Sequence, residues 1–246
     1  MDYKKAILSR ISRRSYTSEL PTIDQVMILR DIVERTNLRE GLNIQLMIDE
    51  NQGFQGVKGG YGTFSGVRNY IALVGPAGDP LIEEKLGYYG EELVLTCEML
   101  GLGTCWVGGT FDKKKCRCTV EKGQIFRCAI VFGRVKPKET SKEKLIRKSM
   151  HKLVKSKKIE DLFYSEEEPP NWFIEGIRMV SKAPSAMNKQ PVKFYYSGGN
   201  VNARVKEPNP LNMYDLGIAK FHFQVGAGKG HWEFGNGGLF FREEEF

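Results

Sequence analysis

The feature that most constrains this chain is a pattern that occurs twice. Tyr89 opens the helical run GEELVLTCEMLGLG, which ends at Gly101-Leu-Gly103, with Trp106 just beyond. Tyr214 opens DLGIAKFHFQVGAG, which ends at Gly226-Ala-Gly228, with Trp232 just beyond. Upstream, RDIVERTN before NIQLMID echoes IRMVSKAP before QPVKFYY. Self-similarity of this kind marks a repeated supersecondary unit. The expected organisation is two related lobes, residues 1–165 and a shortened 166–246, joined at the acidic, proline-rich SEEEPPNWF. Matches this short also arise by chance, so other observations must carry the fold.

Local patterns predict alternating helices and strands. Ala6, Ile7 and Ile11 suit a short helix within 3–14, and Thr22 with Gln25 three residues on is a capping-box start for a second. NIQLMID alternates as a strand, and NYIALVG and CAIVFGRV read as buried strands. Ile82, Leu86, Tyr89, Leu93 and Cys97 step by three or four, which predicts a long helix stopped by Gly101 and Gly103. Asp112 is positioned to cap a further short helix. Beyond the linker, Phe173, Ile177 and Val180 define a helix, VKFYYS a strand and MYDLGIAKFHFQVGAG another helix. The glycine-rich 51–66 and residues 200–212 read as loops, and GGLFFREEEF holds a short strand.

Several function classes fall away. Gly101-x-Gly103 follows a helix and meets Trp106 where a dinucleotide fingerprint needs its third glycine, so it is not a Rossmann turn. No GxxxxGK[ST] loop is present. The five cysteines lie between Cys97 and Cys128 and lack the paired spacing of a zinc site. They read as reduced thiols, and with no apolar leader or span the expected location is cytoplasmic, away from membranes. His151, His222 and His231 are too scattered for a metal site or triad, and Cys105 has no evident catalytic partner. The net charge of +7 and the basic stretch KPKETSKEKLIRKSMHKLVKSKK admit three readings: a solvated face, a phosphate site or a nucleic-acid surface. No nucleic-acid-reading motif accompanies them, so nucleic acid is not the expected partner.

Two stretches carry chemistry. Arg13, Arg14 and Ser15 gather two guanidiniums and a hydroxyl, a set that binds phosphate or simply charges a surface. APSAMNKQP, residues 183–191, puts short polar side chains on a helix-to-strand turn, suited to polyol and ring heteroatoms or to an ordinary turn.

Together, RRS, GEELVLTCEMLGLGTCWVGG, KSKKIEDLF and APSAMNKQPVKF resemble the nitroreductase family of flavin-mononucleotide oxidoreductases. The order is unusual: the P-S-x-x-N-x-Q-P turn stands in the second half, which resembles a subgroup carrying two nitroreductase-like lobes in one chain. The resemblance implies an α+β fold with mixed central sheets flanked by helices, arranged as an intrachain pseudo-dimer, so that a whole chain would act as a monomer. It implies FMN as cofactor, NAD(P)H as reductant and a nitroaromatic, quinone or similar small molecule as acceptor, in a ping-pong reaction. It assigns to the cofactor Arg13, Arg14, Ser15, Cys105, Trp106, Val107, Gly108, Gly109, Lys155, Lys157, Pro184, Ser185, Ala186, Asn188 and Gln190. The backbone of the 105–109 turn would approach the flavin ring, where glycine permits close contact. The chemistry belongs to the flavin, so no catalytic side chain and no metal are expected. An arginine cluster is missing from PPNWFIEG, which implies one flavin per chain and one vestigial site. Val192 replaces the family's frequent tryptophan and Thr17 a third basic residue, which changes the acceptor pocket and weakens the phosphate site. A flavin binder without turnover and a basic nucleic-acid-binding protein remain the competing readings.

Overall fold

A computed structural model describes residues 2–55 and 64–243 of the chain. Residues 56–63 of the expected 51–66 loop and the last three residues of the chain lie outside the described residues. The described residues form two compact units. The first comprises residues 9–80 and 93–149; the second comprises 2–8, 81–92 and 150–246. The division is therefore interleaved, and differs from a single cut at 165/166.

In the first unit, α2 (Ile23–Glu40) starts at the capping box of Thr22 and Gln25 and ends at Gly41 in the left-handed region (φ 65°). It leads to β1 (Gln45–Met47), and then come β2 (Asn69–Pro76), β3 (Gly103–Val107) and β4 (Gln124–Gly133). The sheet order is β1-β2-β4-β3 and every pairing is antiparallel. β2 is buried along seven of its eight residues, as a central strand covered on both faces must be. On one face Tyr70, Ala72, Val74, Cys105, Val107, Ala129 and Val131 join Phe54 and Phe111 in a core.

In the second unit, α1 (Tyr3–Ser9) and the first turns of α3 (Ile82–Met99) belong with the C-terminal half. α4 (Ser141–Leu153) runs into this unit, followed by β5 (Phe163–Ser165), α5 (Asn171–Val180), β6 (Val192–Ser197) and β7 (Asn200–Val205). α6 (Pro210–Ala227), β8 (Gly230–Trp232) and β9 (Leu239–Arg242) complete it. The sheet order is β5-β6-β7-β9-β8, mixed because β5 joins β6 in parallel. An aromatic core of Phe173, Phe194, Phe223, Trp232 and Phe240 fills the space between this sheet and α5 and α6. Helices α5 and α6 cross closely at Gly176 and Gly226. A Cβ at Gly226 would lie 2.5 Å from the Glu175 carbonyl oxygen, and one at Gly176 would lie 2.6 Å from the Phe223 ring.

The predicted repeat appears in the wiring. Helix, strand, strand, helix, strand, strand runs α2-β1-β2-α3-β3-β4 and again α5-β6-β7-α6-β8-β9. Each sheet orders its strands first, second, fourth, third, and β5 is an addition at one edge. Three local expectations were wrong. Residues 200–205 form β7 because Val201, Ala203 and Val205 alternate into the core. Cys105, Trp106 and Val107 lie in β3, paired with β4, and only Gly108 and Gly109 fall beyond the strand. The first helix stops at Ser9.

Candidate functional site

The segment Arg10–Tyr16 runs alongside the edge of the first sheet. Ser12 bridges Thr104 in parallel, and the Arg13 N–H donates to the Thr104 carbonyl at 2.8 Å. Arg13 is buried, with its stem laid across Gly103, where a Cβ would meet Arg13 Cγ at 2.8 Å. Its Nε donates to Glu143 Oε1 at 3.2 Å and its Nη2 to the Lys136 carbonyl at 2.9 Å. The backbone N–H groups of Arg14 and Ser15 donate to the same Glu143 oxygen at 2.7 and 3.0 Å. The other carboxylate oxygen accepts from Thr140 N and Oγ1. Burial pushes the Glu143 carboxyl up, but the N–H donors from Arg14, Thr140 and Ser15 and the Arg13 guanidinium overcome it and bring it down to about 2. The arm is thus an oxyanion cradle, and Glu143 is the oxyanion in it.

The cation expected at Arg13 is therefore engaged by a carboxylate of its own chain. Ser15 Oγ sits 3.3 Å from Thr140 Oγ1. Arg14 and Arg10 remain. Arg14 donates from Nη1 to the Ser12 carbonyl at 3.3 Å, and neither arginine forms an ion pair among the described residues. Both guanidiniums lie within electrostatic range of the Cys105 thiol. Burial pushes that thiol up; Arg14, Arg10 and the Ser12 hydroxyl draw it partway back. Cys105 and Val107 are buried in the first unit's core, Trp106 is half-buried, and Gly108 and Gly109 are exposed.

In the second unit, the turn from Pro184 to Pro191 is held in an unusual backbone. Met187, Asn188 and Gln190 have φ of 53°, 57° and 46°, in the left-handed region that a methionine or glutamine adopts only when its surroundings require it. Gln190 N donates to Ser185 Oγ at 2.9 Å. Gln190 Oε1 accepts from Lys157 N at 2.7 Å, and Asn188 Nδ2 donates to the Val154 carbonyl at 3.0 Å. The Ala186 N–H donates to the Asp215 carboxylate at 3.0 Å. Burial pushes Asp215 up to about 7, opposed by the Ala186 N–H and the Lys189 ammonium. The turn backs a small, shallow cleft with Pro184, Ser185, Gln190, Val180 and Asp215 on its walls. Lys155 and Lys157 are exposed beside this segment.

Sequence reasoning missed Glu143, Arg10 and Asp215. Glu143 had a signal: Thr140-Ser-Lys-Glu143 is a capping-box pattern at the start of α4. Asp215 had none, because an aspartate in an apolar helix does not announce which N–H it will meet. Among the described residues no group of side chains could hold a metal ion, and no helix is long and apolar enough to cross a membrane.

A basic arm at one sheet edge, a strained polar turn and the doubled helix-and-hairpin wiring define a nitroreductase-like α+β protein. A family model described as "Putative TM nitroreductase" matches residues 2–227, and the chain belongs to that nitroreductase family. Among solved structures, one described as a putative nitroreductase from Thermotoga maritima is similar, with 20% identity and a TM-score of 0.63, covering 98% of this chain and 92% of that one. A nitroreductase family protein from Clostridium difficile (16% identity, TM-score 0.48) covers 69% of this chain and 100% of its own. A nitroreductase with bound FMN from Desulfitobacterium hafniense (15% identity, TM-score 0.44) covers 56% and 92%. No curated protein matches the chain.

Proposed function

We propose that this chain is an FMN-dependent NAD(P)H oxidoreductase that reduces nitroaromatics, quinones or similar small acceptors. The family match over residues 2–227 carries this reading. The donor chemistry supports it. The N-terminal arm already holds one oxyanion, Glu143, on converging N–H groups, which is the kind of donor set a phosphate uses. Beside it stands Arg14, a cation with no acid of its own among the described residues. A bound flavin would supply the electron transfer between nicotinamide and acceptor, so the protein need only bind, orient and exclude water.

In the first unit, Arg14 takes the phosphate while Arg13 and Ser15, tied to Glu143, keep the arm in shape. The exposed backbone at Gly108 and Gly109 faces the ring; a Cβ at Gly109 would meet nothing within 4 Å, so the chain itself leaves that space open. In the second unit, the turn of Pro184, Ser185, Ala186, Asn188 and Gln190 presents its backbone to the cofactor, because its side chains are engaged in holding the left-handed turn. Lys155 and Lys157 supply exposed positive charge. Anaerobic addition of NADH or NADPH to the FMN-loaded protein tests the proposal. Bleaching of the visible flavin bands, restored by menadione or a nitrobenzene, is expected. A chain that stays colourless with excess FMN sinks it, and a yellow chain that never bleaches reduces it to a flavin binder.

A further inference from the structure

The Arg10 side chain has no explanation in the fold. Its Nε and Nη1 are buried from solvent, and neither has a hydrogen-bond partner. A guanidinium carries five N–H donors and a permanent charge, and leaving such donors buried and unmatched is costly. The loss is not offset by a carboxylate, because Arg10 forms no ion pair among the described residues. Arg10 and Arg14 stand two residues either side of Ser12, which is pinned to Thr104 by a parallel bridge. Both arginines act on the Cys105 thiol through their charge, and the Ser12 hydroxyl hydrogen-bonds to it. Arg13, between them in sequence, is instead joined to Glu143. Like charges set near one thiol repel each other, and a bound anion would relieve that repulsion.

We propose that Arg10 and Arg14 together form a two-guanidinium clamp for a phosphate monoester, with Arg10 a phosphate-binding residue outside the Arg13-Arg14-Ser15 motif. Planar guanidiniums match phosphate oxygens in pairs, which suits them to this ligand. The proposal deepens the flavin reading and rests on it for the identity of the ligand, FMN, whose phosphate would enter the clamp. The clamp also predicts binding of free inorganic phosphate, which does not depend on that reading.

The test uses the whole chain stripped of flavin, its Arg10→Met and Arg10→Lys variants, and Arg35→Met as a control that removes an exposed arginine from α2. Circular dichroism first establishes that each variant is folded; should Arg10→Met fail, Arg10→Lys, which keeps the charge and loses the paired geometry, carries the comparison. FMN and riboflavin are then titrated by flavin fluorescence. The expected result is that the Arg10 variant binds FMN about tenfold or more weakly while riboflavin affinity is unchanged, and that Arg35→Met changes neither. In parallel, thermal melts in phosphate are compared with melts in chloride at equal ionic strength. Phosphate is expected to raise the wild-type midpoint and not that of the Arg10 variant. An FMN-to-riboflavin affinity ratio equal to the wild type's overturns the clamp. If neither flavin binds but phosphate still stabilises the wild type alone, the flavin reading fails and the clamp stands. If neither flavin nor phosphate binds the wild type, the clamp is refuted with it.

Discussion

Glu143 shows how one side chain can turn a predicted ligand site into architecture. Its carboxylate closes the capping box of α4 and draws Arg13, Arg14 and Ser15 onto a single anion. Removing one partner of a buried pair leaves the other charged without compensation, so Glu143→Ala or Arg13→Ala should each lower stability by about 3–5 kcal/mol, read by urea denaturation. The pH dependence follows from the direction of the shift. Folding lowers the Glu143 carboxyl from the usual 4.5 to about 2, so the unfolded chain binds more protons between those values. The stabilisation is complete above about 4.5 and is lost as pH falls toward 2. Asp215 works in the opposite sense. Folding raises it from 3.8 to about 7, so the folded chain holds the extra proton across that window. Stability should therefore decline as pH rises from about 4 to 7, and Asp215→Asn should flatten that decline in melts taken at pH 5 and pH 8. A melt that falls equally in both chains would reject the role of Asp215. At this scale the sequence was legible for residue type and not for partner: RRS was visibly cationic, but that its first arginine meets Glu143 depends on a contact 130 positions away.

At the scale of elements, most of the chain could be read directly. Helix α2 was marked by Thr22 and Gln25, and α3 and α6 by apolar steps of three and four with glycines after them. β3 was hidden because GTCWV looks like part of a glycine turn, and its pairing with β4 is decided by the sheet rather than by its own residues. β7 was hidden by asparagines and an arginine on its exposed face, although Val201, Ala203 and Val205 keep the period of two. Gly217 gives the sharpest test of helix packing. A Cβ there would lie 2.0 Å from the Glu84 carbonyl oxygen and 2.6 Å from Tyr88 N, both in the early turns of α3. Gly217→Ala improves helix propensity by about 1 kcal/mol. It should nonetheless destabilise the protein by roughly 1–3 kcal/mol net, because backbone cannot move aside as a side chain can. A midpoint raised by the substitution would show that α6 has room there.

For the molecule as a whole, the repeat was legible and the interleaving was not. Short echoes of sequence revealed two similar units, but assigning α1 and the start of α3 to the second unit depends on tertiary partners. Lys220 and Glu84 are fully buried and paired, with Gly235 N donating to Glu84 as well. His222 stands between Glu91 and the Met179 carbonyl. Tyr3 packs its ring against Phe221. A fragment of residues 166–246 lacks Tyr3, Glu84 and Glu91, and would bury Lys220 and His222 without their acids. It should be unfolded by circular dichroism, despite holding four of the sheet's five strands.

The same interleaving bears on how the protein is made. α1 leaves the ribosome well before its partner Phe221, which emerges more than two hundred residues later. The Glu84–Lys220 pair closes across 136 positions. Growth of the chain therefore cannot finish the second unit piece by piece, and its assembly must wait until α6 has emerged, with α1 and the start of α3 lacking those partners in the interval.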